Sequence, residues 1–311
     1  MKLLYNGKAI IVGLDYFNPD NYPKLEVVGC NCTGTDHLPW EQLKKRNIKV
    51  ISLKGETEFL KNITSTAEHT IGLIIALLRN YKTAFYEPYQ DREFYKGYTL
   101  RNKIIGIIGY GRVGKQVGAI AVNLRMNVIF QEKKFGYGLN DLLKKSDIVS
   151  LHIPLENNEG FFNKKMFEIM KPTAYLINSS RSSIINEKDL LEALKKKRIA
   201  GAAIDFIDNS NLIKYAKIHN NLILTNHLGG CTFEDMAKTK EFIEKKVGEE
   251  IKNLNKNGKN KNSRRKKKLD KQFKELSEKY NSIGQELFRI QGEYRLLAKI
   301  EKEEFENKEE N

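Results

Sequence analysis

Three glycines follow an apolar run at the spacing of a dinucleotide-binding turn. The run at 104–108 leads directly into Gly109, Gly111 and Gly114. In such a turn the first glycine permits a tight bend, the second lets the backbone approach a pyrophosphate, and the third lets the next helix pack on the strand. That helix points its N-terminal N–H groups at the phosphates. The spacing predicts cofactor contacts at Gly109, Gly111, Arg112, Val113 and Gly114, against the alternative of an accidental glycine-rich turn.

An acidic residue lies where the ribose of such a cofactor would bind. Glu132 comes 18 residues after Gly114 and directly behind a second apolar run at 128–130. Its carboxylate can accept hydrogen bonds from both ribose hydroxyls, and it would repel a 2′-phosphate. The pattern therefore favours NAD over NADP.

Alternating strands and helices must position this turn. The resulting βαβ order predicts an α/β fold with a doubly wound, mostly parallel sheet and helices on both faces. Apolar runs predict strands at 9–12, 25–28, 49–52, 104–108, around 128, 148–152, 174–178, 200–204 and 222–225. Periodic segments predict helices at 39–46, 66–79, from Arg112 onward and at 139–145.

Length and composition set the broad class. The 311 residues are enough for about two domains with sizeable cores. The three cysteines, Cys30, Cys32 and Cys231, form no CxxC pair, so the sequence indicates neither a disulfide framework nor a metal site. No apolar stretch approaches the roughly 18 residues of a membrane span, and Lys8 interrupts the first apolar residues before a secretory core could form. We therefore expect a cytoplasmic protein without a membrane partner.

The net charge of +15 is concentrated in one segment. Residues 255–268 contain eight Lys or Arg and no acid. They are interleaved with Asn and Gly and lack aromatic side chains that could stack on bases, which is typical of a solvated linker. Nucleic-acid binding is the less favoured alternative.

A heptad pattern follows this linker. Nine apolar residues alternate at spacings of four and three: Leu269, Phe273, Leu276, Tyr280, Ile283, Leu287, Ile290, Tyr294 and Leu297. The pattern predicts a coiled-coil seam at 269–297 for oligomerisation or a partner helix. A single amphipathic helix folded back on the protein is the open alternative.

Six further motifs occur in the order found in one enzyme family. From about Leu25 to Lys245 the chain resembles the D-isomer-specific 2-hydroxyacid dehydrogenase family, which includes phosphoglycerate dehydrogenases, glyoxylate reductases and D-lactate dehydrogenases. The motifs are Gly34-Thr-Asp36, Ser65-Thr-Ala-Glu-His69, Leu151-His-Ile-Pro-Leu155, Met170-Lys-Pro172 with Leu176-Ile-Asn-Ser-Ser-Arg181, Gly201-Ala-Ala-Ile-Asp205 and Asn226-His-Leu-Gly-Gly230.

The resemblance implies hydride transfer between NAD and a small D-2-hydroxy acid or its 2-keto partner. It implies that Arg181 binds the substrate carboxylate and stabilises charge at the carbonyl oxygen, and that His227 is the acid and base, a role that suits an imidazole. The backbone N–H groups of Cys32, Thr33 and Gly34 could complete the carboxylate site. The remaining implied cofactor contacts are Pro154, Ser179, Ser180, Asp205, Gly229 and Gly230.

The family pattern also implies a domain arrangement. A flavodoxin-like substrate domain is expected at 1–99 and 228–254, an NAD-binding Rossmann domain at 100–227, a basic linker at 255–268 and a helical extension at 269–311. Compared with the family, the substrate domain is expected to lack the first strand and helix and therefore to have an exposed sheet edge. Relatives commonly dimerise through the cofactor domain, and the aromatic-rich 81–98 segment is the expected homodimer contact.

The chain departs from the family at one site residue. Ser210 stands where the family has a glutamate that holds the histidine in its working tautomer, and Asp208 is the nearest replacement. Ser182, Ser183 and Asn226 are smaller departures. Two functions therefore remain open: a dehydrogenase of reduced activity, and a non-catalytic NAD-binding sensor or corepressor-like scaffold.

Overall fold

The protein is described here from a computed structural model. It describes residues 3–5, 7–14, 16–87, 91–132, 135–205, 210–257, 271–280 and 282–283. The chain divides into two compact units, Met1–Glu249 and Glu250–Asn311. Asp208, residues 258–268 of the predicted linker, and residues 269–270, 281 and 284–311 of the predicted extension, which include most of the seam, lie outside the described residues.

The first unit begins with a four-stranded sheet. Its strands are β1 (Leu3–Tyr5), β2 (Ala9–Val12), β3 (Val27–Cys30) and β4 (Lys49–Ser52), in that spatial order. Strands β2, β3 and β4 are parallel, whereas β1 pairs antiparallel with β2. Strand β1 thus lies at one edge of this sheet, and the exposed edge stays a prediction. The strand predicted at 25–28 lies two residues later, since Val27 pairs with Ala9 and Leu25 enters the core from the preceding turn.

Helices cover both faces of this sheet. Helix α1 (Trp40–Lys45) buries Leu43 in a core with Ile10, Val12 and Val28. On the other face, helix α10 (Phe233–Asn257) lies so close that a Cβ at Gly29 would be 2.6 Å from Val247 Cγ2. Helix α2 (Thr57–Leu60) joins the same region, where Phe59 stacks on Phe242 with ring centroids 4.0 Å apart.

The larger sheet has seven strands. They are β5 (Ile104–Ile108), β6 (Asn127–Glu132), β7 (Phe135–Gly136), β8 (Ile148–Leu151), β9 (Tyr175–Asn178), β10 (Gly201–Asp205) and β11 (Leu222–Thr225). Their spatial order is β11-β10-β9-β8-β5-β6-β7, and all neighbours are parallel except the pair β6 and β7. The doubly wound parallel sheet predicted from the sequence is confirmed.

Two hydrophobic cores lie on either side of the larger sheet. On one side, α6 (Leu139–Lys145), α7 (Lys164–Ile169), α8 (Glu187–Lys195) and α9 (Ser210–Ile218) pack around buried residues such as Leu142, Phe167 and Leu190. On the other side lie α3 (Ser65–Leu78) and α5 (Arg112–Asn123). Helix α3 falls inside the range 1–99 that the sequence assigned to the substrate domain, yet it packs on this sheet through Ile71 and Ile74. The domain limits stay a prediction.

Short elements complete the first unit. Helix α4 (Tyr81–Tyr86) follows α3, and 3-10 turns occur at Pro19–Asn21, Arg92–Tyr95 and Ser182–Ile184. None of the described helices is both long and apolar enough to span a membrane.

The second unit contains the last residues of α10, 250–257, and further helical backbone at 271–280 and 282–283. Three side chains of the predicted seam, Phe273, Leu276 and Ile283, are 40 to 50% exposed. A helix is thus present at the start of the predicted extension, and its coiled-coil pairing stays a prediction.

Candidate active site

The glycine turn lies at the carboxyl end of β5. Gly109 has a φ of 91°, and a Cβ there would lie 2.6 Å from the carbonyl oxygen of His152 at the end of β8. A Cβ at Gly114 would overlap the carbonyl oxygen of Gly109. At Gly111, by contrast, a Cβ would meet no atom of the described chain within 4 Å. Two glycines are therefore required by the fold, while Gly111 faces open space where a pyrophosphate can approach.

This turn sits at the point where the strand order reverses. Strand β5 has β6 on one side and β8 on the other, and α5 begins directly after the turn. Such a crevice is where doubly wound sheets bind ligands. Glu132 is exposed at the end of β6, next to Gln131, whose carbonyl oxygen accepts a hydrogen bond from the Gly109 N–H. Its position suits a carboxylate that binds ribose hydroxyls.

The side chains of Arg112 and Val113 make contacts within the protein. Arg112 donates from Nη1 to the carbonyl oxygen of Ile63 at 3.0 Å, and Gln116 donates to the same oxygen at 3.1 Å. Burial lowers the pKa of Arg112, although Asp235 acts in the opposite direction. Val113 packs into the core beneath α3. The predicted phosphate contacts of these two residues stay predictions.

Arg181 follows β9 and makes a two-point ion pair with Asp36. Its Nε lies 3.0 Å from Oδ2 of Asp36, and its Nη2 lies 3.1 Å from Oδ1. Burial acts to raise the pKa of Asp36, but the hydrogen bond and charge of Arg181 outweigh it, so the pKa lies below its ordinary value. The pair joins a loop of the small sheet to a loop of the large one.

The predicted carboxylate-binding turn borders this ion pair. A Cβ at Gly34 would overlap Nη2 of Arg181, so any side chain at this position would have to displace the guanidinium. The backbone N–H of Cys32 hydrogen-bonds the Cys30 thiol. Within the described chain, the backbone N–H groups of Thr33 and Gly34 make no intramolecular hydrogen bond. Donors that lie beside a guanidinium are suited to binding an anion.

His227 follows β11 in a backbone conformation that is unusual for its residue type. Its φ is 56°, in the left-handed region. Asp205, at the end of the neighbouring β10, holds the loop through both carboxylate oxygens. Oδ1 accepts from the N–H of Leu228 and Oδ2 accepts from the N–H of Gly229, each at 2.7 Å. These two bonds fix the residues that follow His227 and so maintain its strained φ.

Asp205 is almost fully buried, with 1% exposure. It also accepts a hydrogen bond from the Thr225 hydroxyl at 2.7 Å, and His69 Nε2 lies 3.5 Å from its Oδ1. Burial acts to raise its pKa, but hydrogen bonds from His69, Thr225, Leu228 and Gly229 outweigh this and lower the pKa to about 2. The predicted cofactor contact at Asp205 is thus occupied by the loop that carries His227.

The pKa of His227 lies below its ordinary value. Burial is the largest cause and the positive charge of Arg181 adds to it, whereas the carboxylates of Asp205 and Asp36 act in the opposite direction. Arg181 and His227 therefore influence each other electrostatically. A neutral imidazole near pH 7 is ready to accept a proton.

The other predicted cofactor residues have mixed surroundings. Ser179 hydrogen-bonds Thr70 of α3 at 2.7 Å, and Ser180 donates to the carbonyl oxygen of Leu151 at 2.7 Å. Pro154 is exposed beyond β8. Gly229 is buried against Asp205, whereas Gly230 is exposed, and a Cβ there would meet no described atom within 4 Å. Their roles at the cofactor stay predictions.

Three polar residues of the site were missed in the sequence. Asp36, His69 and Thr70 lie in or beside motifs quoted for the family resemblance, but none was named as a site residue. The signal for Asp36 was a carboxylate two residues after Gly34. For His69 and Thr70 it was polar side chains directly before the apolar run of α3.

A family comparison agrees with this geometry. Residues 71–229 match the model described as "D-isomer specific 2-hydroxyacid dehydrogenase, NAD binding domain". The chain belongs to this family. Its NAD-binding domain spans the glycine turn, the Arg181 loop and the His227 loop.

The chain is similar to several enzymes and to several solved structures. It is 33% identical over 255 residues to D-3-phosphoglycerate dehydrogenase of Haemophilus influenzae, covering 76% of this chain and 60% of that protein. It is 29% identical to glyoxylate reductase of Pyrococcus furiosus, covering 73% of each chain. The fold resembles apo D-lactate dehydrogenase of Escherichia coli, with a TM-score of 0.69 at 21% identity over 79% of this chain and 83% of that one.

NAD fits the residues present. Gly111 leaves open space at the start of α5, and Glu132 is exposed at the end of β6. A second fold neighbour is the D-lactate dehydrogenase of Aquifex aeolicus, whose structure contains NAD and lactic acid; it has a TM-score of 0.66 at 22% identity, over 80% of this chain and 84% of that one. The chain spans about 60% of the length of the phosphoglycerate dehydrogenase that it matches.

Proposed function

We propose that the protein is an NAD-dependent dehydrogenase that interconverts a small D-2-hydroxy acid and its 2-keto acid. One observation carries this proposal. Arg181 follows β9 and His227 follows β11, on the same carboxyl edge of the sheet as the glycine turn, and the charge of Arg181 lowers the pKa of His227. A guanidinium and a neutral imidazole beside a cofactor crevice are the groups that this reaction needs.

The proposed reaction divides between cofactor and protein. NAD, when bound, supplies the hydride acceptor. Arg181 and the backbone N–H groups of Thr33 and Gly34 bind the substrate carboxylate and orient the substrate C2 atom. His227 takes the proton of the C2 hydroxyl during oxidation and returns it during reduction. Asp205 holds the His227 loop in place through the N–H groups of Leu228 and Gly229.

The absence of the family's glutamate should lower the rate of turnover. Ser210 cannot fix the imidazole as a glutamate does, and the proposed replacement is Asp208. Asp205 fixes the backbone of the His227 loop rather than the ring. We therefore expect turnover that is measurable but slower than in relatives with the glutamate.

Turnover of 2-keto acids tests the proposal. Purified protein is mixed with NADH and glyoxylate, hydroxypyruvate, pyruvate or phosphohydroxypyruvate, and NADH absorbance is followed. Arg181→Ala and His227→Ala should each lose at least about 100-fold in kcat/KM. Arg198→Ala and His219→Ala are matched controls, because both residues lie away from the site. NADH binding without turnover of any of the four substrates would favour the sensor or scaffold function.

We further propose that the protein is a homodimer through the 81–98 segment. Four aromatic side chains there are more than half exposed: Phe85, Tyr86, Phe94 and Tyr98. Such a patch is typical of a protein interface. Light scattering should show a dimer that Phe85→Ser with Tyr86→Ser converts to a monomer. Tyr16→Ser, which changes an exposed tyrosine elsewhere, should leave the mass unchanged.

A further inference from the structure

Arg181 is held on three sides before any substrate binds. Asp36 occupies one edge of the guanidinium, with Nε to Oδ2 at 3.0 Å and Nη2 to Oδ1 at 3.1 Å. The carbonyl oxygen of Ser180 accepts from Nη1 at 3.0 Å. Gly34 lies directly against Nη2, where a Cβ would displace the guanidinium. The guanidinium therefore has one defined orientation.

The remaining N–H donors of Arg181 lie at the terminal edge of its guanidinium. A guanidinium carries five N–H groups, and the contacts with Asp36 and Ser180 use one each on Nε, Nη1 and Nη2. One N–H on Nη1 and one on Nη2 are left. Together they form the terminal edge, which can bind a carboxylate through two parallel hydrogen bonds.

We propose that Asp36 is a positioning residue that presents only this terminal edge of Arg181 to the substrate carboxylate. The inference rests on the proposed function, because it concerns the same arginine. Asp36 and Arg181 are 145 residues apart in sequence and belong to loops of different sheets. Their pair therefore also sets the spacing between the N–H groups of Thr33 and Gly34 and the guanidinium.

Asp36 must stay charged to do this. The pKa of its carboxyl is below the ordinary value, so it is ionised throughout the neutral range. Asn at this position keeps the shape but offers one acceptor instead of two and no charge. The guanidinium would then rotate among several orientations, and a two-point contact with the substrate would form less often.

The experiment compares Asp36→Asn, Asp36→Ala and Asp36→Glu with wild type. Asp20→Asn is the matched control, because Asp20 also faces an arginine, Arg46 at 3.6 Å, in the connections between strands of the small sheet but away from the site. Two quantities are measured: the Kd of oxamate, a non-reacting analogue of a 2-keto acid, for the NADH-loaded protein, and KM and kcat for the best keto acid. The Kd of NADH and the melting temperature report on folding.

Asp36→Asn and Asp36→Ala should weaken oxamate binding about 10-fold, raise KM similarly and lower kcat. The Kd of NADH should stay within about twofold in both. Asp36→Glu should recover part of the loss, and Asp20→Asn should match wild type.

Two results would overturn the inference. Tighter oxamate binding in Asp36→Ala would mean that Asp36 competes with the substrate for Arg181. Unchanged Kd and KM, with Arg181→Ala still inactive, would mean that the arginine needs no partner, and the proposed function would still stand. If wild type turned over no keto acid, the proposed function would fail, while oxamate binding that depended on both Arg181 and Asp36 would still support the positioning role.

Discussion

Asp205 Oδ1 accepts a hydrogen bond, at 2.7 Å, from the backbone N–H of Leu228, the residue directly after His227. A buried carboxylate on one strand thus fixes the loop that follows the neighbouring strand. The left-handed backbone of His227 depends on this support, because an isolated histidine pays a free-energy cost for a positive φ. The proposed base is therefore positioned by its backbone.

Removing the charge of Asp205 should loosen this loop. We expect Asp205→Asn to lower the free energy of unfolding by roughly 2–3 kcal/mol, since an amide places donors against the N–H groups that the carboxylate accepts. Activity should fall at least about 10-fold. Urea denaturation and steady-state kinetics measure the two effects.

Asp147→Asn provides the control for Asp205. Asp147 also accepts a backbone N–H, that of Ile104, at 2.8 Å, but at the opposite end of the sheet. Its replacement should reduce stability while leaving kcat near the wild-type value. If Asp205→Asn kept full activity, the loop would not need its anchor.

The stabilisation by Asp205 should also depend on pH. Its folded pKa of about 2 lies below the ordinary value of 3.8, so its contribution is complete above about pH 4 and is lost as the pH falls toward 2. Unfolding measured between pH 5 and 2 should show a smaller decline in Asp205→Asn than in wild type. Equal declines in both proteins would argue against this assignment.

Substitution of two glycines in the turn should have different effects: Gly111→Ala should weaken NADH binding, and Gly114→Ala should lower stability. Gly111→Ala adds a methyl group where the described chain has no atom within 4 Å, so stability should hold while the Kd of NADH rises about 10-fold. Gly114→Ala places its methyl group on the Gly109 carbonyl and should cost roughly 1–3 kcal/mol. Thermal melts and NADH fluorescence titrations give both values. Unchanged NADH affinity in Gly111→Ala would place the pyrophosphate elsewhere.

Glu132 should set the choice of nicotinamide cofactor. Replacing it with Ala removes a carboxylate that repels a 2′-phosphate, so the ratio of the NADPH Kd to the NADH Kd should fall about 10-fold. Glu168→Ala, in α7, changes an exposed glutamate away from the site and should leave the ratio unaltered. A ratio that did not move in Glu132→Ala would exclude the ribose contact.

The pKa of His227 should report its distance from Arg181. Arg181→Gln removes the positive charge and unpairs Asp36, and both changes should raise the pKa of His227. NMR titration of the five histidines, assigned with His227→Gln, measures this without turnover. In wild type, kcat/KM for oxidation should fall as the pH drops through this pKa, and for reduction it should fall as the pH rises through it. An unmoved titration would place the two side chains apart.

The sequence by itself determined the larger sheet and its cofactor turn. Runs such as 104–108 and 222–225 became strands at those bounds, and the glycines at 109, 111 and 114 began a helix at Arg112. These features depend on local patterns: apolar periodicity, and turns that only glycine can make. The carboxyl ends of parallel strands share one edge, so the Arg181 and His227 loops could be placed there in advance.

The tertiary structure alone decided which polar groups meet. The pairing of Arg181 with Asp36, the burial of Asp205 beneath Leu228, and the use of Arg112 to hold Ile63 all join residues that are far apart in the chain. The sequence also did not predict the pairing of β1 with β2. A side chain in sequence shows its chemistry but not its partner, because hydrogen bonds and charges act over a few ångströms that only the packing of separate elements sets.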